Sequence, residues 1–322
     1  MLKNEIISPS FICESPKGIA VYPTLIQISG QLGVHMYGLM ILTGLFLAFM
    51  YSSARARAVG VDSDELPIFY MIVAFAGIAV SRLFYFLFSE PDLFFANPLI
   101  FFLPSEGGLV FYGGPIGGVA AGVAFCLAKK IPTWKMIDIS APAIMLGLGM
   151  GRVGCFFAGC CHGAHVDVDV LSTLLDLKGG SMVHVDEFPH FALIFKPGVG
   201  VGNIHDVPLF PTQVWESVGA LSLFGALAWM HAKLRFFDGQ IMATMMVFYA
   251  ALRSTIEGFR GDSIRGEDLM LGLSTSQSIS VFIVALAMVV VMVQFRKGKG
   301  PEKPIARDEL DDELDSDDDL LG

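Results

Sequence analysis

Seven mostly apolar stretches, each long enough for a helix that crosses a lipid bilayer, dominate this sequence of 322 residues. Such a helix needs about 20 residues for a hydrocarbon core of about 30 Å. Hydrophobic residues form 54% of the chain and charged residues 16%, and the mean hydropathy of +0.63 exceeds that of a soluble domain. The sequence therefore predicts an all-α, polytopic membrane protein with about seven transmembrane helices, at residues 36–54, 67–88, 107–128, 137–157, 212–233, 240–259 and 278–295.

Lysine and arginine are distributed unevenly between the two sets of connections, and this asymmetry predicts the orientation. One set contains Arg55, Lys129, Lys233 and Arg296 with further cations beside them, whereas the loop between the second and third windows contains none. Cytoplasmic loops carry the excess of positive charge, so we expect an extracytoplasmic N-terminus and a cytoplasmic C-terminus. The predicted division is an extracytoplasmic segment at 1–33, a membrane domain at 34–296 with an extracytoplasmic insert at 164–210, and a cytoplasmic tail at 297–322.

Much of the negative charge lies in the C-terminal tail. The formal net charge is −10, and seven of the 31 acidic residues lie at 311–319. A segment this polar buries too little apolar area to offset chain entropy, so we expect the tail to be disordered. The acidity predicts no nucleic-acid partner. Near the N-terminus, no apolar run of 7–15 residues follows Lys3, so we expect no cleavable signal peptide.

Three arginines lie inside apolar windows, where an arginine at the helix centre costs about 2.5–3.5 kcal/mol even on a lenient scale. Arg82 has a simple structural explanation, since it can snorkel to the headgroups or pair with an acid. Arg152 is harder to explain in this way, because it lies in a glycine-rich run that lets a ligand approach closely. Arg253 shares a helical face with Glu257, and Arg260 lies one turn further. Guanidinium binds phosphate through a bidentate fork, so an anionic lipid is the expected ligand.

Two further segments combine polar residues with helix-breaking ones at predicted helix starts. The sequence GGLVFYGGPIGG at 107–118 contains Tyr112 as its polar ring, and its glycines serve either a ligand or close helix packing. The sequence PTQVWE at 211–216 places a proline at a plausible first turn, with Gln213 and Glu216 just inside the helix.

The run CFFAGCCHGAH at 155–165 is the main alternative source of chemistry. Cysteine and histidine in quick succession can bind a soft metal such as zinc or copper(I), and two of the cysteines can form a reversible disulfide. The run has no C-x2-C pair, and no second pair lies elsewhere. We therefore expect no metal site and no cofactor, and favour inert small residues in a tight membrane turn.

Six of these motifs, taken in order, resemble the bacterial prolipoprotein diacylglyceryl transferase family. They are HMYGL at 35–39, GIAVSRLFY at 77–85, GRVGCFFAG at 151–159, PTQVWE at 211–216, RSTIEGFR at 253–260 and LSTSQ at 273–277. The resemblance spans about residues 34–295. It implies an enzyme of the bacterial inner membrane that moves diacylglyceryl from phosphatidylglycerol to the lipobox cysteine of a prolipoprotein signal peptide.

The chain also departs from the pattern of that family. Cys155 and Ala158 stand where the family signature usually has Asn, and Cys160 stands where it has Glu. Tyr112 stands where the family has a histidine that is commonly given a catalytic role. These departures make a paralogue with another acceptor the first alternative. A membrane transporter or metal-handling protein without enzymatic activity is the second, although the sequence has no internal repeat.

The resemblance implies catalytic roles for Arg152, Arg253 and Tyr112. The two arginines would stabilise the charge that builds on the leaving phosphate. The general base stays open among Tyr112, Glu257 and His162, of which histidine is the type that titrates near neutral pH. The expected substrate-binding residues are Arg152, Tyr37, Arg82, Gly113, Gly114, Gln213, Glu257 and Arg260.

Overall fold

A computed structural model of the chain describes residues 24–29, 32–103, 108–164, 193–194, 208–260 and 275–296. Helices form most of this part, as predicted for an all-α membrane protein. The helices are α1 (Met36–Ala58), α2 (Leu66–Phe88), the short α3 (Pro91–Ala96), a 3₁₀ helix (Pro98–Phe102), α4 (Gly113–Ala128), α5 (Thr133–Ala158), α6 (Thr212–Lys233), α7 (Gln240–Glu257) and α8 (Thr275–Arg296).

Two short strand pairs, which the sequence does not predict, accompany the helices. Strand β1 (Thr24–Ser29) pairs with β2 (Leu32–His35), which leads directly into α1, and β3 (Leu193–Ile194) pairs with β4 (Pro208–Leu209). Both pairs are antiparallel.

Each of the seven apolar windows contains a helix. Among the described residues, three helices, α1, α2 and α5, are long and apolar enough to cross a membrane, judged by length and composition. Helix α4 and the part of α8 at Ser280–Gln294 are shorter apolar helical segments. The chain is therefore a multi-pass membrane protein, and the number of seven spans stays a prediction. Helix α4 begins six residues later than its window, because the Val110 N–H donates to the Ser81 carbonyl (3.1 Å) instead of starting the helix.

The chain forms two compact units. The first comprises Met1–Gly44, Leu146–Leu223 and Val247–Ala285, and the second comprises Leu45–Met145, Phe224–Met246 and Leu286–Gly322. Most of the predicted N-terminal segment, most of the insert and the whole acidic tail lie outside the described residues. The predicted division of the chain, the absence of a signal peptide and the disorder of the tail therefore stay predictions.

Glycines bring α2 and α4 close together within the second unit. A Cβ atom on Gly113 would lie 2.5 Å from the backbone N of Ser81, and one on Gly117 would lie 2.6 Å from the carbonyl oxygen of Ala76. Backbone atoms cannot rotate away as a flexible side chain can. Close helix packing in a membrane requires small residues at such positions. Of the two roles that the sequence allows for the glycine run at 107–118, Gly113 therefore serves close helix packing.

A buried aspartate of α5 caps the N-terminus of α7, also within the second unit. Asp138 is fully buried, and its carboxylate accepts hydrogen bonds from the backbone N–H groups of Gly239 (2.8 Å), Ile241 (3.0 Å) and Met242 (3.1 Å). The first N–H groups of a helix have no partner within that helix, and negative charge is favourable there. Asp138 therefore joins α5 to the start of α7 across a separation of 101 residues in sequence.

Candidate active site

Small residues also govern the packing of the first unit. A Cβ atom on Gly154 of α5 would lie 3.1 Å from the ring of Tyr37 in α1, and one on Gly149 would lie 2.7 Å from the side chain of Leu221 in α6. The Ser217 hydroxyl of α6 donates to the Gly149 carbonyl at 3.0 Å. The C-terminal half of α5 therefore lies directly against the starts of α1 and α6, and Arg152 lies on this half.

Arg152 forms an ion pair with Glu216 of α6. Its Nη2 atom lies 3.1 Å from the Oε1 atom of Glu216, whose side chain is 1% exposed. The Tyr249 hydroxyl of α7 hydrogen-bonds to the same carboxylate and also interacts electrostatically with Arg152 and Arg253. A charge in a membrane helix requires a partner of this kind, and Glu216 therefore positions the guanidinium of Arg152.

Arg253 forms the second ion pair of this unit. Its Nη2 atom lies 2.7 Å from the Oε2 atom of Glu257, one turn further along α7, and both side chains are largely buried. This confirms the i, i+4 pairing that the sequence spacing indicates. Both guanidinium groups, each paired with a glutamate, interact electrostatically with Tyr249, so the two ion pairs lie near one phenol ring.

The end of α5 is shaped by a Schellman motif. The N–H of Cys160 donates to the carbonyl of Cys155 (3.1 Å), and the N–H of Gly159 donates to the carbonyl of Phe156 (3.1 Å), which is the hydrogen-bond pattern of this motif. Gly159 has the left-handed φ of +66° that glycine adopts without steric penalty. Cys161 has a φ of +60°, which costs an L-residue roughly 1–2 kcal/mol, so the surroundings must hold it in place.

The start of α6 supplies this support. The Gln213 side chain is fully buried, and its Nε2 atom donates to the Cys160 carbonyl at 2.9 Å. The Thr212 hydroxyl donates to the Cys161 carbonyl at 3.0 Å. The sequence predicts that Gln213 binds substrate, and in the structure its side chain also holds the backbone of the cysteine turn.

Three cysteines converge at this turn. The Sγ atoms of Cys155, Cys160 and Cys161 all lie within 4.8 Å of one another. The Cys160 thiol donates a weak hydrogen bond to the Cys155 carbonyl at 3.7 Å, and the Arg152 and Arg260 guanidinium groups both interact electrostatically with Cys161. The spacing in the sequence does not predict this convergence, because it depends on the Schellman motif and on the left-handed residue after it.

The sequence model of the prolipoprotein diacylglyceryl transferase family matches residues 23–293, most of the chain. The protein belongs to this family. The resemblance drawn from the six motifs is thereby confirmed.

Several bacterial members of the family are similar to this chain. Enzymes named phosphatidylglycerol–prolipoprotein diacylglyceryl transferase from Bacillus cereus (strain G9842) and Clostridium tetani (strain Massachusetts / E88) are each 30% identical to it. The first aligns over 253 residues, 78% of this chain and 84% of the relative. The second aligns over 259 residues, 80% of this chain and 92% of the relative.

Four of the predicted site residues, Arg82, Tyr112, Gly113 and Gly114, lie in the second unit, whereas Tyr37 and Arg260 lie in the first. Arg82 donates hydrogen bonds to the carbonyls of Ile100 (3.2 Å), Phe101 and Leu103, around the end of the 3₁₀ helix, and its guanidinium lies 5.3 Å from the ring of Phe86. These contacts favour a structural role for Arg82, which the sequence analysis leaves open beside substrate binding. Tyr112 directly precedes α4 and is 46% exposed.

The sequence analysis does not predict two residues that interact with Arg152, namely Glu216 and Tyr249. Glu216 appears there only as part of a helix start. An acid inside an apolar window costs as much free energy as an arginine, so its position could have indicated a role. Tyr249 carries no such signal, because a tyrosine in an apolar window is unremarkable in sequence.

His162, one of the three residues that the sequence leaves open as the general base, lies half-buried in the turn that holds the cysteines.

Proposed function

We propose that this protein transfers diacylglyceryl from phosphatidylglycerol to the lipobox cysteine thiol of prolipoproteins. The observation that carries the proposal is the pair of largely buried guanidinium groups of Arg152 and Arg253, which both interact electrostatically with Tyr249, in a member of this family. Two fixed guanidinium groups within a membrane domain suit the phosphate of an anionic lipid. The names of the two relatives state phosphatidylglycerol and prolipoprotein as their substrates, which supports the same two substrates for this protein.

The reaction exchanges one bond at the glyceryl carbon. The thiolate of the acceptor cysteine attacks the carbon that carries the phosphate, so that a C–S bond forms and the C–O bond breaks. Glycerol phosphate leaves with the electron pair of that bond, and negative charge builds on its phosphate. Donors that are already in place before this charge develops lower the barrier most. A guanidinium has five N–H donors, so Arg152 can bind Glu216 and a phosphate oxygen together.

Four further residues are proposed to take the site roles that the sequence predicts for them. Tyr37 lies near Arg152 and the cysteines and is proposed to contact the lipid headgroup. Arg260 also lies near the cysteine turn and is proposed to add positive charge for the phosphate. Gly114 and Tyr112 keep their predicted roles as proposals.

Complementation tests the function most directly. Expression of this chain is expected to restore growth to a bacterial strain depleted of its own diacylglyceryl transferase. Mass spectrometry of a reporter prolipoprotein is expected to show the added diacylglyceryl group. Arg152→Ala should abolish both results, whereas Arg57→Ala, at an exposed residue in the last turn of α1, should preserve them. If the inserted wild-type protein neither complements nor transfers to a lipobox peptide in vitro, the paralogue with another acceptor replaces this proposal.

The proposed setting is the inner membrane, with the N-terminus extracytoplasmic and the C-terminus in the cytoplasm. The uneven distribution of Lys and Arg between the connections supports this orientation. Reporter fusions after Lys130 and after Lys297 are both expected to report cytoplasm, and a fusion after Lys178 in the predicted insert is expected to report periplasm. A periplasmic signal at Lys130 or Lys297 would contradict the orientation.

A further inference from the structure

The cysteine trio, Cys155, Cys160 and Cys161, forms a cluster that the proposed reaction does not yet use. Resting on the proposed function, we propose that the trio binds one zinc ion as a three-thiolate site, whose fourth position takes the thiol of the acceptor cysteine. This replaces the inert role that the sequence favoured, and the reason is the convergence of the three Sγ atoms.

The distances suit a tetrahedral zinc ion. A Zn–S bond of about 2.3 Å places the sulfur atoms of a tetrahedral site roughly 3.8 Å apart. The three Sγ atoms already lie within 4.8 Å of one another, so side-chain shifts of about 1 Å complete the geometry. Three protein ligands with an open fourth position is the arrangement of zinc sites that act in catalysis rather than in structure.

The backbone under the trio is held before any metal binds. The Schellman hydrogen bond joins Cys160 to Cys155 at 3.1 Å. Gln213 and Thr212 hold the carbonyls of Cys160 and Cys161 at 2.9 Å and 3.0 Å. A site whose ligands are fixed by outer hydrogen bonds binds its metal more tightly than a mobile one.

The charge of the surroundings suits a trithiolate complex. Zinc with three thiolates carries a net charge of −1, which is costly to bury without a cation nearby. Arg152 and Arg260 both interact electrostatically with Cys161. Their guanidinium groups therefore offset the negative charge of the complex, and Arg152 also lies where the phosphate of the lipid is proposed to bind.

The zinc ion supplies what the proposed reaction needs, a thiolate at neutral pH. A thiol that coordinates zinc loses its proton, here to water, and the thiolate is the nucleophile. The bound thiolate forms the C–S bond while the C–O bond to phosphate breaks, and glycerol phosphate leaves with the electron pair. The product is a neutral thioether, a weaker ligand than a thiolate, so the modified prolipoprotein can leave and the next thiol can bind.

Metal content of the purified full-length protein is the first measurement. Wild type, isolated under reducing conditions from zinc-containing medium, is expected to hold about one zinc per chain, and Cys155→Ser/Cys160→Ser/Cys161→Ser is expected to hold none. The matched control is Cys126→Ala, a cysteine outside the trio, which should keep its zinc. In the cobalt-substituted protein, a lipobox peptide should shift the visible absorption bands, whereas the same peptide with serine at the acceptor position should not.

The pH profile of transfer separates zinc activation from a structural role. A free cysteine has a pKa near 8.5, so only about 3% of an uncoordinated acceptor is thiolate at pH 7. The triple serine variant is therefore expected to transfer about 30-fold more slowly than wild type at pH 7 and to recover most of this loss near pH 9. Wild type is expected to change little over the same range.

The outcomes distinguish this inference from the proposed function. Wild-type transfer by a zinc-free protein, or a triple variant within a few-fold of wild type at pH 7, overturns the zinc site and leaves the transferase proposal standing. A disulfide within the trio together with no bound metal overturns it as well. Zinc bound at the trio of a protein that transfers nothing to prolipoprotein contradicts the transferase proposal, and with it the role of the fourth ligand.

Discussion

Replacing Arg152 with lysine is expected to lower diacylglyceryl transfer about 10²–10³-fold while the protein still folds and inserts. Lysine keeps the positive charge but replaces a planar fork of N–H donors with a compact ammonium. The same loss is expected for Arg253→Lys, because both guanidiniums are assigned to the phosphate that gains charge in the transition state. An arginine that only snorkels to the headgroups would tolerate lysine almost freely.

The measurement is transfer of labelled diacylglyceryl from phosphatidylglycerol vesicles to a lipobox peptide, at matched amounts of inserted protein. Arg57→Lys is the control, since Arg57 is exposed in the last turn of α1, and it should transfer at the wild-type rate. Transfer near the wild-type rate by both Arg152→Lys and Arg253→Lys would remove the phosphate-clamp mechanism. The groups that stabilise the leaving phosphate would then have to be sought among other residues of the first unit.

Replacing Glu216 with glutamine is expected to lower kcat about 10–100-fold and to change KM for phosphatidylglycerol much less. Glu216 is a positioning residue: its buried carboxylate lies 3.1 Å from Arg152. Glutamine preserves the size of the side chain but loses the charge that holds the guanidinium in place. Glu216→Asp keeps that charge and is expected to recover part of the lost rate.

A double-mutant cycle tests whether Glu216 acts through Arg152. If it does, Arg152→Lys/Glu216→Gln should transfer no more slowly than Arg152→Lys alone, because the two losses share one cause. The control is Glu65→Gln, which disrupts a more exposed ion pair with Lys129 and is expected to leave kcat unchanged. Losses that add fully in the double variant would assign Glu216 a separate role and contradict the positioning mechanism.

The positions of the long helices are local properties, and the sequence predicts them within a few residues. The window at 67–88 corresponds to Leu66–Phe88 in the structure, and the window at 212–233 corresponds to Thr212–Lys233. In lipid every backbone group must find its partner inside the protein, so an apolar run of about 20 residues has few alternatives to a helix. Helix ends are less predictable: α4 starts at Gly113 rather than at 107, because the segment before it hydrogen-bonds to α2.

The cysteine run at 155–165 shows what a local sequence pattern can and cannot predict. Its residue types indicate a tight turn containing thiols, and the structure contains that turn. The direction of each thiol depends on the left-handed φ of Cys161 and on the hydrogen bond from Gln213, which is 53 residues away from Cys160 in the chain. Spacing rules for metal sites describe extended or helical ligand pairs, so they did not recognise three sulfur atoms assembled by a Schellman motif.

The sequence by itself determined the helical membrane class, the family and the ion pair between Arg253 and Glu257, since each depends on residues within a few turns or on ordered motifs. Only the tertiary structure decided the partner of Arg152, the carbonyls that bind Arg82 and the convergence of the thiols. These contacts join distant segments, and their geometry depends on how closely the helices approach. That approach is controlled at single positions such as Gly149, where an added Cβ would lie 2.7 Å from a neighbouring side chain, and hydropathy does not encode such distances.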